Sequence, residues 1–152
     1  MAAIAVAELT LDAPRQVAFS QFIDYAHWDL WLPAQIRPVS GPARALRLGD
    51  KLRVSLGPKA VILLELDVIR MREGVEVCWR AGLPGLLSGD HSFFFSDVPG
   101  EPEKTRVRGE APVQGCLTVG PLGAGIERAL ADRWTALLER FSSYLRAGGA
   151  RP

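Results

Sequence analysis

His91 is the residue of this sequence best suited to chemistry, because it stands two positions before Phe93 and four before Phe95 in the run Asp90-His91-Ser92-Phe93-Phe94-Phe95. In a strand, positions two apart share a face, so the imidazole and both rings look one way while Ser92, Phe94 and Ser96 look the other. A neutral imidazole at the end of an aromatic stripe can hydrogen-bond a carbonyl or take a proton as a general base. The competing reading is a structural histidine bonded to backbone or to Asp90, since burial without a partner is unfavourable. By the same alternation Trp79 belongs with Val75, Val77 and Ala81, and Glu76, Cys78 and Arg80 take the opposite face. An indole combines broad apolar contact with a single donor, which suits a small-molecule site and serves equally well in a core. Trp28 and Trp31, three apart, read as core. His27, flanked by Tyr25 and Asp29, reads as a surface residue.

Other chemistries find no support in the spacing. The two histidines and two cysteines show no HxH, HExxH or CxxC arrangement, so no metal site is expected. No GxSxG elbow surrounds Ser88, Ser92 or Ser96, and the glycines form neither GxGxxG nor GxxxxGK[ST], which argues against hydrolase and nucleotide-binding readings. Glu65 and Asp67 sit two apart on one strand face, the expected solvent edge of a half-buried strand rather than a glycosidase pair. No cofactor is implied.

The elements that position these residues follow from periodicity. Ala3 to Leu11 alternates as a half-buried first strand. Asp12 as N-cap and Pro14 in the first turn predict a helix to about Asp24, and Tyr25 to Trp31 continues as a second short helix or turn, stopped by Pro33. Six further strands are expected at Ile36 to Val39, Lys51 to Leu56, Ala60 to Arg70, Val75 to Ala81, Asp90 to Asp97 and Lys104 to Val113, with Gly and Pro at the boundaries and a turn at Pro99-Gly100-Glu101-Pro102. Gln114 to Gly125, with four glycines, predicts a flexible connector. Beyond it Ile126, Leu130, Trp134, Leu137, Leu138, Phe141 and Leu145 recur at helical spacing, so a long amphipathic helix closes the chain at Gly148-Gly149. Residues 1–148 are read as one domain and 149–152 as a disordered tail. An open antiparallel sheet of seven strands needs one face covered, and only the C-terminal helix is long enough, so the α+β fold should be a curved sheet wrapped around that helix.

Composition bounds the partners. Among 152 residues, 48% are apolar and 23% charged, as in a globular chain able to bury a core. Eighteen basic against seventeen acidic residues give a net charge of +1 with interleaved signs, which argues against nucleic acid as a partner. Two cysteines are too few for a disulfide scaffold, and a reduced cytoplasm is the expected setting. The apolar run Met1 to Leu11 lacks a basic flank and is too short to span a bilayer, so neither export nor stable membrane insertion is expected.

The order of these elements, Trp28 and Trp31 ahead of Pro33, Val77-Cys78-Trp79, Leu83-Pro84-Gly85-Leu86, Gly89-Asp90-His91-Ser92-Phe93 and the run from Thr105-Arg106 to Gly115 together resemble the SRPBCC or START-like superfamily, in particular its polyketide cyclase/dehydrase branch. The resemblance covers nearly the whole chain. It implies the helix-grip fold, also found in the birch pollen allergen and in lipid-transfer domains, with an apolar cavity between sheet and long helix. That fold hosts carriers, cyclases, hydratases and chaperone activators alike, so it implies less about chemistry. Related sequences often carry an inward His or acidic residue on the last strand, where this chain has Gly109 and Ala111 with Glu110 facing outward. Trp79, Leu83, Leu86, His91, Phe93, Phe95, Leu130 and Trp134 are the expected ligand-binding residues, because the alternation on two strands, one helix stripe and the apolar residues of the Gly82 to Gly89 loop converge on such a cavity. The loop Gly82 to Gly89 is expected either as a mobile lip of the cavity or as a packed turn capping the core. The expected function is binding of a small hydrophobic or aromatic molecule, lipid or polyketide-like. The alternative is a cyclase or dehydratase-like enzyme in which His91 as acid/base, or Arg80, handles a proton or an enolate.

Overall fold

Alternation of apolar and polar residues carries through seven strands, and their apolar faces converge on one core. The computed structural model describes residues 3–57, 62–83, 87–113 and 121–149. The strands are β1 (Ala3–Leu11), β2 (Ile36–Ser40), β3 (Lys51–Leu56), β4 (Ile62–Arg72), β5 (Glu76–Leu83), β6 (Leu87–Val98) and β7 (Glu101–Val113). They form one antiparallel sheet in the order β1-β7-β6-β5-β4-β3-β2. Helix α1 (Arg15–Phe22) and a short 3-10 helix (Tyr25–Leu30) follow β1, and helix α2 (Pro121–Arg146) follows β7. The sheet is curled and α2 lies in its concavity, packed most closely against β1: this is the helix-grip arrangement. Among the described residues no helix is long and apolar enough to cross a membrane.

The boundaries depart from expectation where tertiary contacts outrank local signals. The N-cap of α1 is Pro14, not Asp12, and no side chain caps it. The Thr105 hydroxyl donates to the Ala13 carbonyl at 2.7 Å and fixes the chain there, and Pro14, with no N–H to satisfy, starts the helix. The helix ends at Phe22 rather than Asp24, because the Trp28 indole N–H donates to the Phe22 carbonyl at 2.9 Å and the chain tightens into the 3-10 turn. At the β6–β7 turn only Pro99 and Gly100 lie outside the strands, with Gly100 at φ +77°, so Glu101 and Pro102 belong to β7. The expected connector 114–125 shortens likewise: Pro121 to Gly125 are the first turn of α2 despite Gly123 and Gly125, and 114–120 lie outside the described residues. Of the expected tail, Gly149 donates its N–H to the Tyr144 carbonyl at 2.9 Å, and 150–152 lie outside the described residues.

The core is aromatic at its centre. Phe22 touches Trp31, Trp79, Phe93, Phe95 and Phe141, with ring centroids 4.9–6.1 Å apart. Trp134, Leu137, Leu138 and Phe141 face it from α2 at the spacing read from the sequence. Trp28 and Trp31 are buried there too. Each such ring removes a large apolar area from water, and mutual edge-to-face packing fixes the orientations.

Candidate functional site

The site is built where β5, β6 and α2 meet. Pairing of β5 with β6 sets Trp79 directly opposite His91 and Val77 opposite Phe93. Trp134 reaches down from α2, its ring 4.8 Å from the imidazole at 77° and 5.6 Å from Phe93 at 86°. Phe93 in turn lies 5.2 Å from Trp79. The structure therefore brings together Trp79, His91, Phe93 and Trp134. Phe95 faces the same way but sits deeper, against Phe19 and Phe22, as core. Leu83 pairs with Leu87 at the end of the β5–β6 hairpin. The expected loop Gly82 to Gly89 is thus mostly strand, because the ladder runs on through Gly82↔Ser88, and only 84–86 lie between the strands. Leu86 and the side chains of Leu83 and Leu130 lie outside the described residues.

His91 is enclosed. Its Nδ1 is buried and makes no hydrogen bond, while the residue as a whole keeps some exposure. Desolvation pushes its pKa down to about 4, against a weaker opposite pull from the Asp90 carboxylate. The structural reading through Asp90 does not hold for Nδ1, because Asp90 faces outward and accepts from Arg80 at 2.9 and 3.4 Å. That pairing also removes Arg80 from consideration as an interior proton handler: its side chain is exposed on the outer face of the sheet. Glu65 is likewise on the outer face, bridged to Arg53 at 2.9 Å. His27 is part-exposed and its Nδ1 lies 2.7 Å from Asp24.

A general base works best with a pKa near the operating pH, so an imidazole at about 4 is a weak one at neutrality. What it offers is a buried hydrogen-bonding atom among largely apolar side chains. The walls next to it are small: Ala81 on β5, Gly109 and Ala111 on β7, and Ala5 and Ala7 on β1 all face inward. Gly109 has a particular reason. A Cβ there would stand 2.9 Å from Cε1 of Phe93, so only glycine lets that ring lie against β7. The inward position of Gly109 was legible by alternation; its steric role was not, since it depends on a partner strand. Sequence reasoning also missed the buried, unpartnered Nε1 of Trp31 and hydroxyl of Tyr144.

No family model matches the chain, and no curated protein matches it. Solved structures do. A START superfamily protein from Mycobacterium smegmatis superimposes with a TM-score of 0.69 at 14% identity over 93% of this chain and 98% of that one. Ara h 8.0201 gives 0.69 at 11% identity over 95% and 98%. DynU16, from the dynemicin biosynthetic locus, gives 0.72 at 14% identity; it covers 97% of this chain, which spans about half of it at 48%. Identities this low establish a shared fold, and all three agree with the helix-grip architecture.

Proposed function

We propose that this helix-grip protein binds a small apolar or aromatic molecule between the concave face of the sheet and α2. Trp79, His91, Phe93 and Trp134 form the wall nearest the ligand with Phe95 beneath, and Leu83, Leu86 and Leu130 are proposed as further ligand contacts from the sequence alone. The observation that carries this reading is the buried Nδ1 of His91, without a hydrogen-bond partner among aromatic and small side chains. Buried polar atoms are nearly always satisfied, and an orphan one calls for a partner that arrives with a ligand. A wall with broad apolar area and few polar groups is the usual composition of a small-molecule site. The neighbours are in keeping with this: one is named for the START superfamily and another comes from the dynemicin biosynthetic locus.

The low pKa of His91 weighs against the cyclase or dehydratase version, in which the imidazole would exchange a proton near neutral pH. The direct test is native mass spectrometry of protein purified from its natural source. A reproducible adduct of a few hundred daltons at most, lost on denaturation, is the expected result. Protein that is adduct-free and also fails to bind any apolar aromatic probe contradicts the reading.

A further inference from the structure

The inward positions around His91 carry no charge. On β5 they are Val77, Trp79 and Ala81; on β7 they are Val107, Gly109 and Ala111; and the buried described side chains of α2 are uncharged, Trp134, Leu137, Leu138 and Phe141 being apolar and Ser142 a hydroxyl. The charged side chains nearest in sequence are spent on the other face. Arg80 pairs with Asp90, Arg108 pairs with Glu110 and Glu8, and the buried carboxylate of Glu76 is held by Arg70 and Arg72. An ionised ligand entering between sheet and helix would therefore lose its hydration with no described countercharge to meet it, and such burial is strongly unfavourable. A neutral hydroxyl or carbonyl would instead gain what Nδ1 of His91 lacks.

We propose that the site discriminates by charge: it takes uncharged aromatic ligands bearing one hydroxyl or carbonyl, docked on Nδ1 of His91 beside Trp79, Phe93 and Trp134, and it rejects carboxylates of the same shape. This rests on the ligand-binding reading above and adds to it which ligands are admitted. The neutrality of the imidazole over the physiological range supports it, because a protonated His91 would itself serve as countercharge for an anion.

Calorimetric titration of the wild-type protein at pH 7 with naphthalene, 2-naphthol and 2-naphthoate tests it. 2-Naphthol should bind about tenfold more tightly than naphthalene, the value of one hydrogen bond to an otherwise unsatisfied atom. 2-Naphthoate should bind at least about a hundredfold more weakly than 2-naphthol. In His91→Phe the ratio of 2-naphthol to naphthalene affinity should fall to about one, and in His91→Gln, which keeps a hydrogen-bonding group, it should stay between that value and the wild-type ratio. Equal affinity for 2-naphthol and 2-naphthoate overturns the inference and leaves ligand binding standing, as does a naphthol preference that survives in His91→Phe. Failure of all three probes to bind overturns the ligand-binding reading and this inference with it. The wild-type comparison decides the charge question even if a variant does not fold.

Discussion

Two residues, His91 and Gly109, carry most of the information at the scale of single side chains. Alternation along the strand was enough to place His91 inward beside Phe93 and Phe95, but its environment depends on Trp134, more than forty positions away, and so could not be read locally. Because burial lowers its pKa from 6.5 to about 4, the folded protein resists protonation that the unfolded chain accepts. Its contribution is therefore complete above pH 6.5, is lost as pH falls from 6.5 toward 4, and changes no further below that. The expected slope within the window is on the order of 1 kcal/mol per pH unit. Urea denaturation at stepped pH should show it in the wild type and show it flattened in His91→Phe; parallel curves for the two proteins would contradict it. Asp50, held below the usual carboxylate range by its hydrogen bond from Arg44, loses its contribution progressively as pH falls through that range, mostly below the His91 window. Gly109→Ala should destabilise by roughly 1–3 kcal/mol through its contact with Phe93, as overpacked cores do. Adding Phe93→Leu should recover part of that loss in a double-mutant cycle, and simple additivity of the two changes would contradict the steric account.

Among the elements, strands were the most legible and ends the least. The expected Lys51 to Leu56 strand coincides with β3, and the other strands were found within a few residues, because a half-buried sheet imposes its period on sequence directly. The errors share a cause. Gly82, Gly89, Pro102 and Gly123 read locally as punctuation, yet long-range pairing or helix propagation carries the chain through each of them. The stop of α1 was invisible for a similar reason, since it is made by the indole of Trp28. Its start is made by Thr105, which is fully buried and ninety-two positions distant. Thr105→Val removes that hydroxyl at nearly constant volume and leaves the Ala13 carbonyl unsatisfied. The expected loss is about 1–3 kcal/mol, read as a lower urea midpoint at unchanged m value. An unchanged midpoint would mean that Pro14 and local packing position α1 without it.

For the molecule as a whole, the sheet has two faces with separate tasks. The outer face holds the paired charges, and even the buried Glu76 is matched there by Arg70 and Arg72. The inner face is filled by aromatics around Phe22 at the α1 end and grades, past the rings of Trp79, Phe93 and Trp134, into the small side chains Ala81, Ala111 and Ala5. That gradient was only half visible in the sequence: which residues face inward follows from alternation, whereas how densely they fill the interior is a property of seven strands and a helix together. The central claim, that a ligand sits beside His91 and Trp134, is tested most directly by heteronuclear NMR during titration with 2-naphthol. The account predicts shifts concentrated on the Trp79 and Trp134 indoles, the His91 ring nitrogens and the Phe93 amide, with Arg80, Asp90 and Cys78 moving far less. Shifts centred on the outer face, or no saturable shifts at all, would contradict it.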